Sequence, residues 1–476
     1  MGSDQRTGTA EQPAEARDVE AAAPESTSRT EIPKSEAFKR YIASGWADRG
    51  EHLPPVTPLA RAAAARRAVL SARRPGERLV IAAGEPKVRS NDTDYPYRPH
   101  SAFAWLTGWG DESVAGSVLV LEPTDDGHEA VLHFPPAAGR DTDEFYANAA
   151  IGEFWVGRRP SIAKVGAALG MRAADLVALE ERDGDVTLDD EDLARDLSEL
   201  RLVKDDAEIA EMRAAVAATK QGFDDVLTAL PRITGHERGE RVIEGVFFTR
   251  ARSEGNDLGY STIAASGPHA CILHWTRNDG PVVPGDLVLI DAGVELPSLY
   301  TADITRTVPV SGRFTDVQRR IYEAVLEAAD AAHAIAKPGI RFRDLHEAAM
   351  SVIARRVAEW DLPMLPAEAL EGVERADRRY MVHGTSHHLG LDVHDCAQAR
   401  RDLYMDGVVE AGMVLTIEPG LYFQPDDLTV PEAFRGIGVR IEDDVLITAD
   451  GSENLSAAIP RTADEVEAWV AERLGA

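Results

Sequence analysis

Cysteine is scarce in this sequence: Cys271 and Cys396 are the only two among 476 residues. Two cysteines build neither a disulfide framework nor a zinc-ribbon spacing, so a reduced, cytoplasmic setting is expected. Basic residues are also in deficit. Lysine and arginine number 51 against 81 acidic residues, a net charge of −30. Such a chain is repelled by nucleic-acid phosphates and by anionic membrane surfaces, so neither is expected as a partner. No apolar run reaches the roughly 18–20 residues that a membrane-spanning helix needs. The N-terminus lacks the basic-then-apolar layout of a signal peptide. Large apolar residues are nearly missing from residues 1–35, which are rich in Glu, Ala, Thr, Ser and Pro. Such a segment cannot offset its ordering entropy by burial and is expected to be a disordered tail.

By length the chain accommodates two or three domains, and its hydrophobic content of 44% suits a globular chain. Helical spacing begins at Phe38, Tyr41, Ile42 and Trp46. A second helix follows Thr57, an N-cap residue with Pro58 at the first helical position. Strand-like runs start at Arg78, Gly116 and Glu129, and helical patterns cover SIAKVGAALG and DDEDLARDLSELR. Strands mixed with helices make residues 36–198 an α/β domain. Its aromatic stretch YRPHSAFAWLTGW (Tyr97 to Trp109) reads as core packing. From residue 199 a second domain opens with a long amphipathic helix carrying Ile209, Met212, Val216, Phe223 and Val226 on one stripe. RVIEGVFFTRARSEG continues as helix to Gly255. STIAASG and CILHW read as strands, and GDLVLIDAG as a strand covered on both faces. Helices start near Thr315 and Phe342, and GMVLTIEPGLYF and GVRIEDDVLIT are the closing strands.

The second domain concentrates the reactive residues. HGTSHHLGLDVHD, His383 to Asp395, holds four of the chain's 13 histidines: His383, His387, His388 and His394. Around it lie VLIDAG, TADITRT, LTIEPG and VRIEDD, each setting an acid into or at the end of an apolar run. Any one of these acids reads equally well as a solvated strand end or cap. Together they share no surface rationale, and buried carboxylates are costly unless paired or metal-bound. Strand alternation puts Asp303 on a face with Thr301, Thr305 and Thr307, Glu418 with Val414 and Thr416, and Glu442 with Arg440 and Asp444. Asp291 stands where a strand runs into Ala292-Gly293. Asp291, Asp303, Glu418 and Glu442 would balance two divalent cations. Oxygen ligands with one imidazole favour manganese, with cobalt or zinc as alternatives. Two such ions about 3.5–4 Å apart activate a bridging water for hydrolysis. Spacing does not choose between His387 and His388.

VLIDAG, DITRT, SHHLGLDVHD, TIEPGLY and GVRIEDD, in this order, resemble the Xaa-Pro aminopeptidase (aminopeptidase P) branch of the pita-bread metallopeptidases. The resemblance implies an α/β (α+β) chain, with a smaller α/β N-terminal domain before a pita-bread catalytic domain over 199–476. It implies metal ligands at Asp291, Asp303, His387, Glu418 and Glu442, with Asp303 and Glu442 bridging two ions. It gives Glu418 a proton-shuttling role and sets His274 and His394 beside the scissile bond. His383 and Arg440 become supports of the ligands, while Tyr422 is expected to pack. The implied substrates are peptides with proline in second position, and the implied assembly is a homo-oligomer, dimer or tetramer. SAFAWLTGW is similar to the family's N-terminal stretch, but Ala102 stands where some relatives carry an acid that reaches a neighbouring subunit. The rival readings are a prolidase acting on Xaa-Pro dipeptides and an inactive peptide-binding module. A methionine aminopeptidase is disfavoured because of the additional α/β domain.

Overall fold

The structure, a computed structural model, describes residues 32–91 and 93–475. The expected tail therefore lies outside the described residues up to position 31. Two compact bodies are present. The first comprises Ala137–Arg159 with the described residues up to Arg49. Its helix Glu36–Ala43 begins at Ser35, whose side chain accepts the Phe38 N–H. Trp46 meets Phe145 and Phe154 edge-on, ring centroids 5.8 and 6.0 Å apart.

The second body comprises Gly50–Pro136 and everything from Pro160. Its N-terminal part is a five-stranded sheet in the order Arg172–Asp175, Gly127–Phe134, Val118–Thr124, Leu79–Ala82, Val186–Thr187. The inner pairs are antiparallel and the two outer pairs parallel. Thr57 caps the helix Pro58–Arg73, with Pro58 at its start, as the sequence predicts. The aromatic stretch becomes the helix Ser101–Thr107, buried along its whole length. Its side chains share an apolar cluster with Met212, Leu299, Leu389, Leu391 and Val414, which reaches the histidine-rich segment.

The remainder is organised around short, fully buried strands. Asp205 caps the helix Asp206–Ile233, which buries Met212, Val216, Phe223 and Val226. Leu287–Ala292 lies between Ile304–Pro309 and Ile263–Ser266, antiparallel to both. Val414–Ile417 pairs with Asp443–Ile447, and Gly420–Phe423 with Ile437–Arg440.

Four sequence expectations are corrected here. GMVLTIEPGLYF is not one strand: it breaks at Glu418-Pro419, and its halves, Val414–Ile417 and Gly420–Phe423, belong to different sheets. CILHW is not a strand: Gly267–Cys271 is a 3₁₀ turn and the chain then runs irregularly to Gly280. Asp303 precedes its strand rather than lying within it. GVRIEDDVLIT is not one strand. It breaks at Ile441–Glu442, and its halves belong to different sheets. Arg306, fully buried, explains how the break is tolerated. Its guanidinium donates to the carbonyls of Thr305, Glu442, Ile459 and Pro460 and to Asp443 Oδ1, at 2.6–3.1 Å. The Glu442 N–H finds Thr305 O at 3.1 Å. A break inside a core survives only when its backbone groups are paired in this way.

Candidate metal centre

The strand ends converge. Asp291 and Thr305 are direct cross-strand partners, so their side chains share one face. Glu418 follows the strand Val414–Ile417. His387 is brought alongside by its backbone: Thr416 N donates to His387 O at 2.9 Å and Leu389 N to Val414 O at 3.1 Å. All nine side chains nominated from the sequence line a single cavity of about 510 Å³: His274, Asp291, Asp303, His383, His387, His394, Glu418, Arg440 and Glu442. That is a ligand-sized space.

Within it, one ligand atom each of Asp303, His387 and Glu442 lies within 4.8 Å of the others. His387 Nε2 is 3.3 Å from Asp303 Oδ2 and 3.7 Å from Glu418 Oε1. Two groups hold the Asp291 carboxylate. Tyr260 donates its hydroxyl to Oδ1 at 2.6 Å, and Arg440 donates to Oδ2. Arg440 also donates to Thr305 Oγ1 and to the Tyr422 hydroxyl, each at 3.1 Å. Thr305 in turn donates to Glu442 Oε2 at 2.7 Å. Asp303 N donates to Asp444 Oδ2 at 3.2 Å.

Charge is unbalanced. Burial, with the neighbouring acids, pushes the Glu418 carboxyl up to about 7. It raises Asp291 and lifts Glu442 well above the usual carboxylate range. Burial would lower His387, but Asp303 and Glu418 outweigh it and raise the imidazole to about 9. Four carboxylates thus face one guanidinium and one imidazole, and Asp291, Glu418 and Glu442 are forced towards their protonated forms. An oxygen-rich set short of positive charge is what divalent cations complete, so these residues fit the metals that the sequence implies.

His388 faces away from the cavity. It is buried against Phe342, ring centroids 5.2 Å apart and nearly parallel, and burial lowers it to about 3. Of the two histidines that spacing left open, His387 lines the cavity and His388 does not. His383 donates from Nδ1 to Gly384 O at 2.6 Å, and its Nε2 then accepts the Tyr422 hydroxyl at 2.8 Å. Burial, with Arg440, lowers its imidazole to about 3. His394 stacks edge-on against His387 at 4.5 Å, and His274 is exposed on the irregular loop after Cys271. Asp392 and Asp395 of the same motif are not in the cavity. Arg201 pairs with both, and Lys204 holds Asp395 at 3.1 Å.

Sequence reasoning missed Tyr260, a tyrosine in an irregular segment with no pattern to mark it. It assigned Tyr422 to packing, and the structure adds two polar contacts at its hydroxyl. Thr305 was within reach, since alternation placed it on the ligand face.

Residues 210–449 match the family model of metallopeptidase family M24, and residues 63–182 match the aminopeptidase P N-terminal domain. Xaa-Pro aminopeptidase 1 of Streptomyces coelicolor is 50% identical over 466 residues, 93% of each chain. Xaa-Pro aminopeptidase 2 of the same organism is 52% identical over 464 residues, 93% of this chain and 97% of the relative. Among solved structures, aminopeptidase P from E. coli with the inhibitor Pro-Leu superposes with a TM-score of 0.74 at 30% identity, covering 89% of this chain and 100% of that one. With the ligand-type side chains gathered in one cavity and relatives matched over nearly the whole length, the chain belongs to metallopeptidase family M24, in its aminopeptidase P branch with the pita-bread catalytic fold.

Proposed function

We propose that the protein removes the N-terminal residue from peptides whose second residue is proline. The carrying observation is the cavity in which Asp291, Asp303, His387, Glu418 and Glu442 converge. These five residues would hold two divalent ions, manganese first, and the ions would supply the Lewis acidity that activates a water and polarises the substrate carbonyl. Every further step belongs to the chain. Arg440 and Tyr260 fix Asp291, and Thr305 fixes Glu442, so the carboxylates keep their geometry when the charge of the site changes. Glu418 accepts a proton and returns it to the departing proline nitrogen. His394, beside His387, stabilises the developing oxyanion. His274 receives the proline side. The substrate's free amine sits among the carboxylates, which limits cleavage to the first bond.

A proline after the scissile bond gives a tertiary amide without N–H and with φ fixed. A site that needs only the carbonyl presented can accept it. The domain division at 198/199 is part of this reading, supported by the separate matches over 63–182 and 210–449. So are a cytoplasmic location, in keeping with the two buried free cysteines, and a homo-oligomeric assembly. No helix among the described residues is long and apolar enough to cross a membrane.

The deciding experiment is steady-state kcat/KM with Mn²⁺ on Ala-Pro-Ala, its N-acetylated form, Ala-Ala-Ala and the dipeptide Ala-Pro. Cleavage of the first alone, or with weaker action on the dipeptide, is expected. A strong preference for the dipeptide indicates a prolidase. Silence on every member with metal bound indicates a binding module.

A further inference from the structure

The cavity wall that carries His274 is built on a buried carboxylate outside the metal set. Glu240 opens the helix Gly239–Glu254 and has no exposed surface. Its two oxygens each receive two donors. Oε1 accepts Ser266 N at 2.8 Å and His269 Nδ1–H at 2.7 Å. Oε2 accepts Trp275 Nε1–H at 2.9 Å and Gly280 N at 2.7 Å. None of these donors is a lysine or arginine, so the carboxylate is held in the core by four N–H groups.

The donors are not scattered. Ser266 ends the edge strand Ile263–Ser266, and Gly280 lies within the irregular segment that runs on to Asp286. His269 and Trp275 lie between, stacked face to face with ring centroids 3.9 Å apart. One carboxylate therefore gathers both ends and the middle of the loop 267–280. The free edge of the strand is closed the same way. Ala264 N donates to the side chain of Asn278 at 3.0 Å, and that amide donates to Thr262 O at 2.9 Å. There is no slack at the closure, because a Cβ on Gly280 would lie 2.6 Å from the His269 ring and 2.9 Å from Glu240 Oε2. Leu273, His274 and Thr276, which this loop presents, line the cavity with Ile263 and Val393.

We propose that Glu240 is a positioning residue that sets the wall bearing His274 through His269 and Trp275, and so sets the preference for proline beyond the scissile bond. The selectivity half of this inference rests on the proposed function; the positioning half does not. A buried carboxylate with four donors permits little drift, since losing any one leaves a polar group unpaired. The loop geometry is thereby locked to the strand that also faces the metal ligands.

Glu240→Gln would turn an amide NH₂ towards two of the donors and risks unfolding. Trp275→Phe removes one donor and leaves the stacked ring, so it carries the test. Metal content, Tm, kcat and KM are measured on Ala-Pro-Ala and Ala-Ala-Ala, with amide hydrogen exchange at Ser266 and Gly280. The expected result is full metal content, kcat/KM on the proline peptide down about tenfold, no loss in the trace cleavage of the alanine peptide followed at high enzyme concentration, and faster exchange at both amides. Equal losses on both peptides, or unchanged selectivity, overturn the proposal. If the unmodified enzyme cleaves neither peptide, the proposed function fails by itself. Exchange then decides: acceleration in Trp275→Phe supports positioning by Glu240, and unchanged exchange overturns it.

Discussion

Arg440 is the residue on which most of the site's order depends. It touches Asp291, Thr305 and Tyr422 from one guanidinium. A lysine can point its charge at one of these partners but cannot span all three, because its ammonium lacks the planar fork. Arg440→Lys is therefore expected to fold and to weaken metal binding by about 10–100-fold, the usual cost of losing a ligand's outer partner. A metal titration followed by calorimetry checks this, and unchanged affinity would leave Arg440 with a packing role. Glu418→Gln separates coordination from proton transfer. The amide oxygen still faces the cavity but holds no proton for the leaving nitrogen, so kcat is expected to fall about 10²–10⁴-fold. Turnover within threefold of the unmodified enzyme, at full metal content, removes Glu418 from the shuttle.

At the scale of elements, the close approach of two backbones matters more than any single ligand. Gly293 follows the strand Leu287–Ala292, and a Cβ there would lie 1.8 Å from Ala302 O. Ala302 immediately precedes Asp303, so Gly293→Ala must push that backbone and the carboxylate with it. A loss of about 1–3 kcal/mol is expected from the overpacking, together with reduced metal content. Thermal unfolding with elemental analysis reads both, and a variant of unchanged Tm and stoichiometry contradicts the close approach. The same scale separates what the sequence discloses from what it hides. Buried strands such as Leu287–Ala292 were legible as continuous apolar runs, and Thr57 and Thr315 announced their helices because caps act locally. The acids that line the cavity were legible as a group because four charges set into apolar runs share few explanations. The break at Ile441–Glu442 was hidden, since what permits it is Arg306, distant in sequence. The irregular path of CILHW was hidden for the same reason: Glu240 and Asn278 take the hydrogen bonds that a neighbouring strand would have taken. Tyr260 could not be found without knowing where Asp291 points.

For the whole molecule, the metal centre links charge to stability. Without metal, Glu418 carries its proton up to about 7 and His387 to about 9, against roughly 4.3 and 6.5 in an unfolded chain. Both folded values are raised. The folded protein then binds more protons than the unfolded one between each pair of values, and its stability falls as pH rises through that interval. The buried Asp291 and Glu442, raised as well, act in the same direction. Metal binding works oppositely, because the ligands must be deprotonated before they coordinate. Its stabilisation, which follows the ratio of free metal to its dissociation constant, grows over the same range. Chelated and Mn²⁺-loaded protein should therefore differ little in Tm near pH 5 and diverge steadily towards pH 9, the chelated form falling. Paired thermal scans across that range, with a chelator or with Mn²⁺, provide the measurement. Parallel curves, or a chelated form that gains stability as pH rises, would mean that the four carboxylates and His387 do not share one electrostatic site. Divergence would tie the surplus negative charge of the cavity to the ions it holds.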